Sequence, residues 1–364
     1  MRIVIAPDSF KGSASAIDVA AALARGWRTV RSEDELTELP TADGGEGTIE
    51  AMERAIPGAV RVPSRVTGPL TQSVDAYWLR FVDPDGRDTA VIELAVTSGL
   101  PVLSGPDPLN AHTLGFGQQI AAALDAGVEK LLLAVGGSSS TDGGTGALRA
   151  LGARFYDAAG AELPLGGGGL DRLHRADFTG MRPLPGAGAD LLSDVRNPLT
   201  GALGAAEVFG PQKGAEPAQV AALERGLLRL AQHVPVDPDS RGAGAAGGTG
   251  FGMLAWGADP RSGAVAVCEV IGLGTAVADA QLVITGEGRY DTQTASGKVV
   301  NQIEKLAHDH GVPVAVAAGQ ITAASATVDS GISLTELAGS VEAAMADPLR
   351  WLEVAGSILA ERYS

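Results

Sequence analysis

The chain has 364 residues, 45% of them hydrophobic and 19% charged, which is ample apolar material for a packed core and a length that suits two domains rather than one. A formal net charge of −16 without any Lys/Arg cluster argues against nucleic acid as a partner, because a phosphate backbone needs a basic patch. The opening MRIVIAP is too short an apolar run for a secretory signal, and the longest apolar region, 263–285, is broken by Glu269 and Asp279, so the expectation is a cytoplasmic protein with no membrane span.

A strand is expected at 2–6, followed by PDSFKGSAS and a helix with Ile17, Ala20, Ala21 and Leu23 on one face, opened by a capping box of Ser15 and Asp18. A second strand at 35–40 precedes DGGEGT and another helix. Alternating segments at 60–66, 74–80 and 89–95 suit antiparallel or mixed strands. A strand at 130–135 then runs into GGSSSTDGG and a helix, and the Gly- and Pro-rich stretch 163–190 reads as surface loops. The strand expected at 281–285 leads into GEGRYDTQTASGK and a helix, with a further buried strand at 313–318. Repeated strand, glycine-rich turn and helix units imply a parallel α/β sheet that binds ligands at the carboxyl ends of its strands. The different character of the middle implies a second domain inserted into the first, with boundaries near 66 and 273.

Cys268, the one cysteine, lies in AVAVCEVIGL and reads as a small buried core residue. The five histidines show no metal-ligand spacing, so neither a zinc site nor a Ser/His/Asp hydrolase is supported. Asp8, Asp43, Asp142, Glu287 and Asp291 all follow predicted strands. A single Asp at such a turn is more often a helix cap, but their recurrence suits a set that holds Mg²⁺ and orients an attacking hydroxyl, as phosphoryl transfer requires. GGSSSTDGG offers hydroxyls and a helix start to anionic oxygens, and as a segment it fits a merely polar, redundantly capped loop equally well. Lys298 stands just inside a helix after Gly297, though without Walker spacing. GAGAAG at 242–247 satisfies G-x-G-x-x-G but lacks a preceding strand, and reads as a flexible, backbone-lined binding loop rather than a dinucleotide fingerprint. Lys11 and Lys213 sit in the glycine-flanked loops SFKGS and PQKGA; each alone is more often a solvated lysine, and either could neutralise an anion.

Taken in order, IAPDSFKGS, ADGGEGT, VGGSSSTDGG, DVRNPLTG, FGPQKGA, GAGAAGGTGFG, TGEGRYDTQTASGK and the GISL segment resemble the bacterial glycerate kinases of the glycerate kinase I type nearly end to end. The resemblance implies ATP- and Mg²⁺-dependent phosphorylation of D-glycerate to 2-phosphoglycerate. It also implies a discontinuous Rossmann-like parallel-sheet domain over 1–66 and 274–364, an inserted α/β domain of mixed sheet over 67–273, and an active site in the cleft between them. A monomer or homodimer is expected. Within those motifs Asp194, Lys11 and Asp8 are the expected catalytic residues, Asp194 as base with Asp8, Asp43 and Asp291 as rivals. Ser9, Asp43, Gly44, Gly45, Glu46, Asn197 and Lys213 are expected to bind glycerate. Gly136, Gly137, Ser138, Ser139, Ser140, Thr141 and Lys298 are expected to hold the nucleotide, and Glu287 and Asp291 the metal. The alternatives are a non-catalytic hydroxy-acid sensor and, on GAGAAG alone, an NAD(P)-dependent oxidoreductase.

Overall fold

A computed structural model describes residues 1–290, 299–322 and 328–363. In chain order its strands are β1 (Arg2–Ile5), β2 (Glu35–Glu38), β3 (Val60–Thr67), β4 (Ser73–Val82), β5 (Asp88–Glu93), β6 (Lys130–Ala134), β7 (Arg154–Tyr156), β8 (Arg175–Asp177), β9 (Ala189–Leu192), β10 (Asp259–Arg261), β11 (Leu282–Thr285), β12 (Arg289–Tyr290), β13 (Val314–Ala318), β14 (Gln320–Ile321) and β15 (Ser330–Ser333). The chain divides into two compact units. The first comprises Met1–Asp43, Glu50–Pro57 and Ala264–Ser364, and the second Gly44–Ile49 and Gly58–Gly263. The change-over after Pro57 and the return after Gly263 each fall upstream of the positions expected from sequence, and β3 pairs with β4 inside the second unit.

The first unit is built on a five-stranded parallel sheet in the order β15-β13-β11-β1-β2. The central β11 and β13 are buried along their whole length, which is why they read as continuous apolar runs, whereas β2 at the edge alternates ELTE. The helix Ala16–Val30 starts at Ser15, whose hydroxyl accepts the Asp18 amide and donates to the Asp18 carboxylate at 2.7 Å, so the N-cap half of the expected capping box is in place while the Asp18 side chain bonds the Ser15 hydroxyl. Its Leu23 and Trp27 join Ile3, Ile5, Ile284, Leu352 and Leu359 in one core. The crossing with the helix Pro348–Arg362 is tight because two glycines face it. A methyl group on Gly26 would lie 1.9 Å from the Glu353 carbonyl oxygen, and one on Gly356 2.3 Å from that of Leu23.

The second unit holds a mixed sheet in the order β10-β9-β6-β5-β4-β3, with β3, β4 and β5 antiparallel and β5, β6, β9 and β10 parallel. The alternating segments thus supply its antiparallel side. The stretch read as surface loops is more ordered than expected. It contains a short 3₁₀ segment, Gly167–Arg172, whose Gly167, Gly169 and Leu170 are buried, the strand β8, and the buried start of β9. Its glycines are there for packing as well as turning: a methyl on Gly167 would meet the Thr141 carbonyl oxygen at 2.1 Å. Cys268 is buried in the helix Gly263–Val270 as expected. No helix among the described residues is long and apolar enough to cross a membrane.

Candidate active site

In the first unit the chain runs out from β1 to β2 on one side and from β11 to β13 and β15 on the other, so β1 and β11 flank the point where strand order reverses. Ligands of parallel α/β sheets bind at the carboxyl ends beside such a point. Asp8 follows β1, Asp43 follows β2 and Glu287 follows β11. The Asp8 amide donates to the Gly286 carbonyl at 2.9 Å, and the Thr285 hydroxyl donates to the Ala6 carbonyl at 2.8 Å, which ties the two strand ends together. Glycine is required at 286, where a methyl group would stand 2.0 Å from the Ala317 carbonyl oxygen. On the β2 side, the Thr41 hydroxyl and amide both donate to the Pro7 carbonyl at 2.9 Å.

These turns open on a cavity of about 390 Å³ lined by Asp8, Ser9, Lys11, Asp43 and Glu287, and on its other side by apolar side chains from the C-terminal helices. Lys11 donates to Asp43 Oδ2 at 2.9 Å, and its side chain keeps 76% of its surface exposed. Desolvation lowers the Lys11 pKa, but by less than Asp43, Asp8 and Glu287 together raise it, so it stays charged. Burial, and then the charge of Asp43, push the Asp8 carboxyl up to about 6, against the Ser9 amide that donates to it at 2.6 Å and the charge of Lys11. Glu287 is 8% exposed. The lining sets three carboxyl groups, Asp8, Asp43 and Glu287, against two cations, Lys11 and Arg289, an acidic excess that a divalent metal would offset. Among the described residues there is no group of three or more His, Cys, Asp or Glu that could hold a metal ion. Asp291 and Lys298 lie outside the described residues.

The second unit gathers the other expected residues. Gly44, Gly45 and Glu46 lie against the turn after β6: a methyl on Gly136 would be 2.4 Å from the Gly45 Cα, and one on Gly137 3.9 Å from the Glu46 Cβ. Glu93 at the end of β5, which sequence reading missed, clamps this turn by accepting the Gly47 amide at 3.2 Å and the Ile49 amide at 3.1 Å. It is only 2% exposed, and in the sequence it was one more polar position in an alternating strand. Asp194, just past β9, accepts the Ser262 hydroxyl at 2.6 Å. Asn197 donates its amide to the Leu203 carbonyl at 2.8 Å and accepts the Gly244 amide on its own carbonyl.

In GGSSSTDGG the hydroxyls turn inward. Ser138 and Ser140 share a hydrogen bond at 3.1 Å, Ser139 donates to the Ser98 carbonyl at 2.7 Å, and Thr141 is buried. Only Gly136 and Gly137 retain surface. Asp142 caps locally: it accepts the Thr113 amide and hydroxyl at 2.9 and 2.8 Å and the Gly144 and Gly146 amides at 3.1 Å. Lys213 is 3% exposed and donates to the Ser140 carbonyl; burial drives its ammonium down to about 7, resisted by the charge of Asp142. GAGAAG is largely buried. Gly242, Gly247 and Gly248 are buried, residues 246–248 make a left-handed turn inside the segment Ala245–Trp256, and a methyl on Gly247 would meet the Ser140 carbonyl at 2.0 Å. A turn, not a strand, precedes it, so the oxidoreductase alternative loses the feature it rested on.

A family described as the glycerate kinase family matches residues 3–364. The chain is 42% identical over 332 residues to glycerate 2-kinase of Escherichia coli (strain K12), covering 88% of this chain and 86% of that protein. It is 43% identical over 331 residues to glycerate kinase of Bacillus subtilis (strain 168), again with 88% and 86% coverage. A crystal structure of a Salmonella typhimurium LT2 protein assigned by name to glycerate kinase 2 superposes with a TM-score of 0.82 at 39% identity, covering 100% of this chain and 98% of that one.

Proposed function

The chain belongs to the glycerate kinase family and is an ATP-dependent phosphotransferase, and on that premise we propose that it transfers the γ-phosphoryl group of ATP to the C2 hydroxyl of D-glycerate, giving 2-phosphoglycerate and ADP. The reading is carried by one observation: Asp8, Ser9, Lys11, Asp43 and Glu287, from turns far apart in sequence, line one cavity at the carboxyl ends of β1, β2 and β11.

Phosphoryl transfer asks a protein for positioning and charge neutralisation more than for covalent chemistry. Lys11 supplies the positive charge for the glycerate carboxylate, and the Ser9 hydroxyl a donor beside it. Asp8 takes the proton of the attacking hydroxyl. Its elevated pKa brings it nearer the operating pH than an ordinary carboxylate, which favours a general base. Asp43 holds Lys11 in place through their ion pair. Glu287, with nucleotide oxygens, would hold Mg²⁺, which when bound neutralises phosphate charge. In the second unit, Glu93 fixes the DGGEG turn whose Gly44, Gly45 and Glu46 we assign to glycerate, and Asp194 with Ser262 is the rival base. Gly136 and Gly137 carry the phosphate contact expected of GGSSST, while the buried hydroxyls of Ser138, Ser139, Ser140 and Thr141, braced by Lys213, hold the loop's shape.

The test is to incubate purified protein with ATP, Mg²⁺ and D-glycerate and identify the product by phosphorus NMR. The expected result is 2-phosphoglycerate, with ADP released only when all three are present. A 3-phosphoglycerate signal would overturn the regiochemistry. Thermal stabilisation by glycerate without any ADP release would mark a sensor instead.

A further inference from the structure

The cavity in the first unit is larger and more apolar on one side than its polar residues explain. Glycerate is a three-carbon acid with hydroxyls or carboxylate on every carbon and no apolar face. A cavity of about 390 Å³ falls in the range of about 300–1,000 Å³ that holds drug-sized ligands. Besides Asp8, Lys11 and Glu287 its lining includes the apolar side chains of Phe10, Leu334, Val341, Ala344, Met345 and Pro348. Val341, Ala344 and Met345 stand at i, i+3 and i+4 on the helix Val341–Ala346, so one face of that helix points into the cavity. Phe10 and Leu334 are 3% and 1% exposed, fixed in the core behind it, while Met345 at the rim is 56% exposed. An adaptable, polarizable thioether left in water beside a fixed apolar wall suits a flat aromatic ligand that covers it.

Resting on the kinase reading above, we propose that this apolar wall is the purine pocket of the adenine nucleotide, with the base packed against Phe10 and the Val341–Ala346 helix. The C-terminal helices then set nucleotide affinity, and the acid substrate meets only the polar end of the cavity.

Met345 tests this without threatening the fold, because it is exposed. Met345→Gln keeps the length of the side chain and adds no charge, so it probes only the apolar contact; Met345→Leu keeps that contact. With ADP as the calorimetric probe, Met345→Gln is expected to bind about fivefold more weakly than wild type and Met345→Leu within about twofold of it. The KM for ATP should follow the same order while the KM for glycerate moves less than about twofold. Wild type that binds ADP, together with a Met345→Gln protein that binds it equally well, overturns the purine assignment alone. So does a change confined to the glycerate KM. Wild type that binds no adenine nucleotide overturns the kinase reading itself.

Discussion

Replacing Asp8 by asparagine should make this protein more stable and less active at once. The carboxyl is pushed up from 3.8 to about 6, first by burial and then by Asp43, so the folded protein holds its proton more tightly than the unfolded chain does. Between about pH 4 and pH 6 the folded state therefore carries more protons on this group, and stability falls as pH rises through that window. At about 1.4 kcal/mol per pKa unit the penalty at pH 7 has a ceiling of about 3 kcal/mol. Asp8 retains some solvent access, so a gain of about 2 kcal/mol is expected for Asp8→Asn. The asparagine carbonyl can still accept the Ser9 amide, so only the charge is removed. Urea unfolding at pH 7 should show the variant more stable than wild type, and at pH 4 the two should converge. Its kcat should fall by about 10²-fold or more if the group is the base. Asp8→Asn with unchanged kcat, or with a stability difference that does not depend on pH, would refute the role assigned to this carboxyl.

Two further substitutions probe the second unit. Glu93→Gln leaves one acceptor where the carboxylate served both the Gly47 and Ile49 amides; it should cost about 1–2 kcal/mol and lower kcat/KM for glycerate on the order of tenfold, read by urea unfolding and steady-state rates. Burial of Lys213 means that the unfolded chain binds more protons there than the folded one between about pH 7 and pH 10. Wild type should therefore gain about 2–4 kcal/mol relative to Lys213→Met across that range, seen as diverging denaturation midpoints; parallel curves would show that burial does not depress the titration of this lysine.

The strands and their turns were readable because buried parallel strands are short continuous apolar runs and the antiparallel ones alternate, and both patterns survive in a single sequence. The glycine-rich turns after them also marked the strand ends where Asp8, Asp43 and Glu287 gather. Burial was not readable. A serine or lysine in a polar loop looks the same whether it faces water or, like Ser139 and Lys213, a backbone carbonyl inside the unit. Glu93 was hidden for the related reason that its partners are amides more than forty residues upstream, which no local pattern signals. The apolar wall went unseen because no local pattern separates a helix face that lines a cavity from one that packs in the core. Gly242–Gly247 misled in the opposite direction, since Gly244 and Gly247 stand where a methyl group would meet the Pro198 and Ser140 carbonyl oxygens at 2.2 and 2.0 Å.

Whether chemistry happens at the carboxyl ends of β1, β2 and β11 is asked most simply by Lys11→Met. The side chain is mostly exposed and its pair with Asp43 is solvent-screened, so the melting temperature should hold within about 2 °C. With the fold intact, kcat/KM for glycerate should drop about 10²-fold for loss of a charge aimed at the reacting anion. Wild-type kinetics in that variant would place the reaction elsewhere in the molecule.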